Sequence, residues 1–117
     1  MIPSEWKDLP VIDWEMGMRL AGNQIDLARD MIFMLAQTLP DELTEIERLI
    51  ANNQSDDLLK RVHKLHGAVA YCGTPRLKAV LATMESRLKQ GEAGQMRTLL
   101  PELKIEIEAV IKDKSTI

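Results

Sequence analysis

The chain has 117 residues, 45% of them hydrophobic and only 3% aromatic, and its formal net charge at pH 7 is −3. A chain of this length forms one domain with a single modest core, so residues 1–117 are treated as one domain. Mild acidity argues against a nucleic-acid-binding protein, no apolar run approaches the ~18 residues that span a bilayer, and the single cysteine, Cys72, excludes an internal disulfide. We therefore expect a cytoplasmic domain without direct membrane contact.

The first part of the chain predicts an irregular leader over residues 1–10 and then a short helix. Asp13 is a good N-cap, and the helix is expected to run to Leu20. Gly22 and Asn23 then end it, because both residue types tolerate the left-handed conformation of a helix C-terminus.

A second helix is predicted from about Gln24 to Leu39, because apolar residues recur there every three or four positions: Ile25, Ala28, Ile32, Leu35 and Leu39. Pro40 lacks a backbone donor and suits the first turn of a helix. The pattern continues to about Ala51, with Leu43, Ile46, Leu49 and Ile50 facing inward. One kinked helix and two separate helices are both compatible with this sequence.

Ser55 is the predicted N-cap of the next helix, which should end at Tyr71 or Cys72, just before Gly73. A further helix is expected to start at Thr74 and Pro75 and to end near residues 90–91. Its inward residues are Leu77, Val80, Leu81, Met84 and Leu88.

A last helix is predicted over about residues 95–113, with Pro101 as a kink or a restart, before a frayed tail at 114–117. Strand signals are weak throughout. We therefore predict an all-α fold, an antiparallel four-helix bundle with a short additional N-terminal helix.

Two histidines lie on the helix that follows Ser55, at different angles to its buried stripe. At about 100° per residue, Leu58, Val62, Leu65, Val69 and Cys72 cluster within about 40°. His63 lies about 140° from Leu58, and His66 lies about 80° away. We therefore expect His63 to face solvent and His66 to be partly sheltered.

The surface around His63 has features of a docking site. Gly67 and Ala70 follow it at i+4 and i+7, and a helical glycine costs about 1 kcal/mol relative to alanine. That cost is compatible with close approach by another backbone. Lys60 and Lys64 flank the same surface, within a segment from Leu58 to Met84 that holds five basic residues and no acidic one. An acidic or anionic partner would complement this segment.

Metal binding is disfavoured by the same geometry. Cys72 lies about 180° from His63, so the two histidines and the thiol cannot converge, and two histidines without a third protein ligand make a poor zinc site. Cys72 falls on the buried stripe, where cysteine usually behaves as a small hydrophobe. We therefore predict no metal site and no catalytic cysteine.

The sequence resembles the histidine phosphotransfer (HPt) family. The family core, His-x-Leu-Lys-Gly followed by Gly, Leu and Glu, is matched by His63-Lys64-Leu65-His66-Gly67, Gly73, Leu77 and Met84-Glu85. Upstream, Ile12-Asp13-Trp14 and Leu20-Ala21-Gly22-Asn23 resemble the family's first helix and turn. The similarity covers nearly the whole chain.

The resemblance implies a phosphorelay module, in which His63 accepts a phosphoryl group from a receiver-domain aspartate and passes it to a response-regulator receiver. Lys60, Lys64, His66, Gly67 and Ala70 would support it. The domain would bind no cofactor itself, because the receiver supplies Mg²⁺, and it would be a monomeric phosphoryl carrier without an ATP site. The implied parent is a hybrid sensor kinase of the inner membrane, with this domain at its cytoplasmic C-terminus.

One position departs from the family pattern. The family usually has Lys or Arg where this chain has His66, so the electrostatic role of that position is open, and Lys60 or Lys64 are candidates to supply part of it. The alternative function is a helical docking module that binds a partner without chemistry. Incorporation of phosphate from a phosphorylated receiver distinguishes the two.

Overall fold

The computed structural model describes residues 4–114, and all regular structure in that range is helical. After a 3-10 helix, Ser4–Asp8, the chain forms α1 (Trp14–Leu20), α2 (Ile25–Ala51), α3 (Ser55–Val69), α4 (Pro75–Lys89) and α5 (Met96–Asp113). A second 3-10 turn, Ala93–Gln95, leads into α5. The four long helices contact one another in a ring, α2 with α3, α3 with α4, α4 with α5 and α5 with α2. Short loops make successive helices antiparallel, so the predicted four-helix bundle with a short N-terminal helix is confirmed.

The predicted apolar stripes line the centre of the bundle. Fully buried members come from every long helix and include Leu39, Ile46, Val62, Leu77, Leu81, Met84, Leu103 and Ile107. The prediction is wrong for Ile25, which is the first residue of α2 and is exposed. Leu43 is only half-buried. No helix among residues 4–114 is long and apolar enough to cross a bilayer.

Both internal prolines lie inside continuous helices. Pro40 is exposed within α2, and Pro101 is exposed within α5. On an outer face the carbonyl that loses its backbone donor can be hydrated, which lowers the cost of a proline there. The apolar stripe of α2 passes Pro40 without a change of phase, so packing favours one helix over two.

Two predicted boundaries need correction. Ser55 is the first residue of α3 rather than its cap, and Gln54 occupies the cap position without a side-chain hydrogen bond. α3 ends at Val69, because residues 70–73 turn towards α4. Thr74 does occupy the cap position of α4, but its buried hydroxyl makes no capping hydrogen bond.

The leader is more ordered than predicted. Within the 3-10 helix Ser4–Asp8, Trp6 is buried, and the Arg76 guanidinium lies 5.3 Å from the centre of its ring. Arg76 also donates to the Lys7 carbonyl and pairs with buried Glu106 at 2.9 Å. Through Arg76, the leader is therefore in contact with α4 and linked to α5. Residues 1–3 of the predicted leader, and residues 115–117 of the predicted tail, lie outside the described range.

Gly73 joins α1 to the loop between α3 and α4. Its φ is +66°, and a Cβ there would lie 2.7 Å from the Asp13 carbonyl oxygen and 2.9 Å from Gly17 Cα. Its own carbonyl accepts from the Asp13 backbone, while the Asp13 side chain caps α1 through Met16. Both conformation and space therefore require glycine at position 73.

Candidate functional site

His63 lies in the middle of α3, on the outer face of the bundle. Its side chain is 70% exposed, whereas that of His66, one turn later on α3, is 26% exposed. Gly67 is exposed and Ala70 is half-buried. The environments of both histidines are therefore those that their angles on the helix predicted.

A buried carboxylate on α4 links the two histidines. His63 Nδ1 lies 2.8 Å from Glu85 Oε2, and His66 Nδ1 lies 2.8 Å from Glu85 Oε1. The Glu85 side chain is only 9% exposed. Lys89, one turn along α4, places its Nζ 2.8 Å from the same Oε2 that His63 contacts. One carboxylate therefore holds three nitrogen donors.

Glu85 is ionised in this arrangement. Burial alone would raise its pKa, but hydrogen bonds from Lys89, His63 and His66, with the charge of Lys89, outweigh burial and lower the pKa from 4.5 to about 2. An ionised carboxylate only accepts hydrogen bonds. Each Nδ1 that contacts it must therefore carry a proton. In neutral His63 the lone pair is then on Nε2, the other ring nitrogen.

Glu85 and Lys89 were not predicted as site residues. Glu85 entered the sequence analysis only as part of the family string. Its position offered a signal, because it continues the i+4 row of Leu77 and Leu81 on the buried stripe of α4. A carboxylate on such a stripe is expected to be paired, since an unpaired buried charge is costly.

Some basic residues of the segment from Leu58 to Met84 form ion pairs with acidic residues of the same chain. Arg61 pairs with Glu42 at 3.1 Å, and Arg76 pairs with Glu106. Lys60 and Lys64 are exposed and line a groove of about 320 Å³ between α2 and α3, together with Glu45, Arg48 and Asp57 among others. These two lysines therefore flank His63 on the α2 side, whereas Glu85 and Lys89 flank it on the α4 side.

The helix surface beside His63 is open at Gly67. A Cβ added to Gly67 would have no heavy atom within 4 Å outside its own helix backbone. No internal packing therefore requires glycine here, in contrast to Gly73. The absence of a side chain instead leaves room for a partner next to the imidazole.

Cys72 has the environment expected of a structural residue. It is buried, its thiol donates to the Ala68 carbonyl at 3.4 Å, and burial raises its pKa. Among residues 4–114 no three His, Cys, Asp or Glu side chains are arranged to hold a metal ion. The Nδ1 atoms of His63 and His66 instead contact the carboxylate oxygens of Glu85 directly.

Comparison with known proteins points in one direction. The Hpt domain family matches residues 30–113. The sensor histidine kinase GacS of Pseudomonas protegens is 43% identical over 92 residues, which are 79% of this chain and 10% of that protein. The signal transduction histidine-protein kinase BarA of Escherichia coli K12 is 34% identical over 107 residues, 91% of this chain and 12% of that protein. The chain thus spans about a tenth of these relatives.

A solved structure has the same fold. It is the HPT domain of a sensor hybrid histidine kinase from Shewanella, with a TM-score of 0.82 and 28% sequence identity. The match covers 91% of this chain and 92% of that one. The similarity therefore extends over essentially the whole bundle, including the helices that carry His63 and Glu85.

Proposed function

Since this chain belongs to the Hpt domain family, we propose that His63 is the residue on which it carries a phosphoryl group in a phosphorelay. The group comes from the aspartyl phosphate of one receiver domain and passes to a response-regulator receiver. The module is a phosphoryl carrier rather than a kinase, and we expect no transfer to it from ATP.

One observation carries the assignment to His63. Its Nδ1 is held at 2.8 Å by the ionised carboxylate of Glu85, while the side chain is 70% exposed. The hydrogen bond fixes the tautomer and the ring orientation, so the lone pair on Nε2 is available to an incoming phosphorus atom. A nucleophile must come within about 3–3.5 Å of that atom, in line with the leaving oxygen.

The proposed transfer is a single displacement at phosphorus. The Nε2 lone pair forms the N–P bond while the bond from phosphorus to the receiver's aspartate oxygen breaks, and its electron pair stays on that carboxylate. The Nδ1 proton remains on the imidazole, where Glu85 balances the positive charge that develops on the ring. Reversal towards a second receiver regenerates neutral His63. Positioning and charge compensation are the main demands of such a loose transition state.

The partners follow from the same chemistry. Receiver domains of a parent hybrid kinase and of a response regulator would bind the exposed face of α3, and the receiver would supply Mg²⁺. Gly67 allows close approach, Ala70 continues this face, and Lys60 and Lys64 provide positive charge beside it. We further propose that the domain is monomeric and cytoplasmic and that it is part of a sensor kinase. The last point is supported by its similarity to about a tenth of two such kinases.

The test compares His63→Gln with His66→Gln. Each variant is incubated with phosphoramidate or with a phosphorylated receiver, and phosphate incorporation is followed by intact-protein mass spectrometry. His63→Gln should accept no phosphate and keep its helical circular dichroism spectrum, because the side chain is mostly exposed. His66→Gln should still accept phosphate, but more slowly. The native His66 contacts Glu85 Oε1 and so helps to orient the carboxylate that holds His63.

Stoichiometric phosphorylation of folded His63→Gln would overturn the assignment. A wild-type protein that binds a phosphorylated receiver but never incorporates phosphate would instead identify a docking module. Transfer from ATP alone to the wild-type chain would contradict the carrier role.

A further inference from the structure

We propose that Lys89 is a further functional residue of the site, which balances Glu85 before transfer and binds the phosphoryl group on His63 after transfer. This inference rests on the proposed function of His63. It concerns a residue on α4, outside the segment on α3 that carries both histidines.

Lys89 is positioned next to His63. Lys89 Nζ and His63 Nδ1 lie 2.8 Å from the same atom, Glu85 Oε2. The Lys89 side chain is 59% exposed, and Lys89 is the last residue of α4. Its long side chain is thus held next to the imidazole by one contact and is otherwise open to solvent. In the proposed role, rotation of that side chain would carry Nζ from Glu85 towards a phosphoryl oxygen on Nε2.

The charge of Lys89 also fits this role. A phosphoryl group adds about −1.5 to −2 charge units at neutral pH, next to the single negative charge of Glu85. A cation that can reach both groups would offset this repulsion. The ammonium group of lysine stays protonated near neutrality and offers three donors, so it can bind a carboxylate and a phosphoryl oxygen in turn.

The other basic residues near His63 have different surroundings. Lys60 and Lys64 line the groove on the α2 side of α3 with Glu45 and Asp57. His66 is tied to Glu85 Oε1. A second groove, of about 310 Å³, lies on the α4 side and is lined by His66, Ala82, Glu85, Ser86, Lys89 and Gln90. Lys89 is the lysine that lines this groove. The groove offers space for phosphoryl oxygens beside Glu85.

The experiment uses three variants of the full chain: Lys89→Met, Lys89→Arg, and Lys104→Met on the exposed face of α5 as the charge-matched control. Two donors are used, phosphoramidate, which does not dock, and a phosphorylated receiver. Acceptance rates, the receiver concentration at half-maximal rate, and the lifetime of the phosphohistidine are measured. Thermal unfolding monitors the fold.

Lys89→Met should lower the acceptance rate about tenfold with both donors and shorten the lifetime of the phosphohistidine, because one charge-assisted hydrogen bond to the phosphoryl group is lost. The half-saturating receiver concentration should stay near that of the wild type, because docking is intact. Lys89→Arg should recover most of the rate, and Lys104→Met should match the wild type.

If the wild type accepts phosphate and Lys89→Met accepts it with the same kinetics, the role of Lys89 is overturned. The role of His63 then remains intact. Equal losses in Lys89→Met and Lys89→Arg would also overturn it, because a cation would then not be the property that matters. No acceptance by the wild type from either donor would be a failure of the proposed function itself.

Discussion

At the scale of single residues, Glu85 determines the orientation of the two histidine rings. It accepts hydrogen bonds from His63, His66 and Lys89, with all three distances at 2.8 Å. Fixing both carboxylate oxygens fixes the plane of the group. The His63 ring is thereby oriented although most of its surface is in solvent. An exposed side chain with a defined orientation needs such a buried partner, because solvent alone imposes no direction.

The ionised state of Glu85 predicts a pH dependence of stability. Its pKa is about 2 in the folded protein, against 4.5 ordinarily. The unfolded chain therefore binds this proton more readily, so the stabilisation is present above about pH 4.5 and is lost as the pH falls towards 2. Glu85→Gln should be less stable than the wild type near neutrality, and the difference should shrink on acidification.

Urea unfolding at several pH values measures this difference. Glu108→Gln, which changes an exposed glutamate on α5, serves as the control and should follow the wild-type profile. If Glu85→Gln and the wild type differ by a constant free energy of unfolding down to about pH 3, the carboxylate is not stabilised in its ionised form.

The sequence was sufficient to predict the exposed position of His63 but not its partner. The exposed position of His63 follows from the periodicity of α3 alone, because the angle between residues of one helix is fixed by helix geometry. The pairing with Glu85 depends on how α3 and α4 align across the bundle, between residues 22 positions apart. Local patterns do not determine that alignment, which arises from side-chain packing in the core.

At the scale of helices, α3 presents a face with a gap at Gly67. Gly67→Leu should raise stability by about 0.5–1 kcal/mol, because leucine is the better helix former and its Cβ meets no heavy atom within 4 Å. Transfer from a phosphorylated receiver should nevertheless fall sharply, because the new side chain would stand one turn from His63, between the imidazole and the receiver.

Phosphoramidate distinguishes obstruction from damage, since this small donor should still phosphorylate Gly67→Leu at nearly the wild-type rate. Gly94→Leu is the matched variant, because Gly94 is exposed and its added Cβ would also have no neighbour within 4 Å. Receiver kinetics that are identical in both leucine variants would remove the argument that α3 needs close approach at Gly67.

Helix boundaries were less predictable than helix faces. The sequence left the region around Pro40 open because proline affects only the local backbone, whereas the continuity of α2 comes from an apolar stripe that extends on both sides of it. The early end of α3 has a similar origin. The chain from Ala70 to Gly73 turns so that Gly73 can pack against Gly17, a contact between distant residues that neither segment reveals alone.

At the scale of the whole molecule, charge is distributed unevenly over an acidic protein. Of the five basic residues between Leu58 and Met84, Arg61 and Arg76 are engaged with acidic residues of other helices. Lys60 and Lys64 remain exposed beside His63. The basic character predicted from the sequence is therefore concentrated, near the site, in two lysines on α3.

Receiver binding should accordingly weaken as salt rises, since exposed charges are screened over about 10 Å at 0.1 M ionic strength. Lys60→Glu combined with Lys64→Glu should lower the affinity and flatten its salt dependence, whereas Lys104→Glu on α5 should change little. Titration by fluorescence anisotropy at several salt concentrations measures both quantities. Unchanged affinity in the double variant would show that the receiver docks elsewhere.

The bundle architecture itself was the most predictable feature. Its stripes arise from spacing within each helix, and four amphipathic helices joined by short loops have few other ways to cover their apolar faces. The order of the leader was missed, because buried Trp6 lies against Arg76, which pairs with Glu106, and both residues are far from Trp6 in sequence. A lone aromatic in a proline-flanked segment carries no periodic signal.

The buried position of Trp6 also makes its fluorescence a probe of the leader. One of its two indoles is enclosed by the bundle and faces a guanidinium, whereas Trp14, at the start of α1, is only half-buried. Buried indoles emit at shorter wavelength than hydrated ones. Release of the leader, with α2 to α5 intact, would therefore shift the emission spectrum to the red while leaving the helical circular dichroism signal almost unchanged.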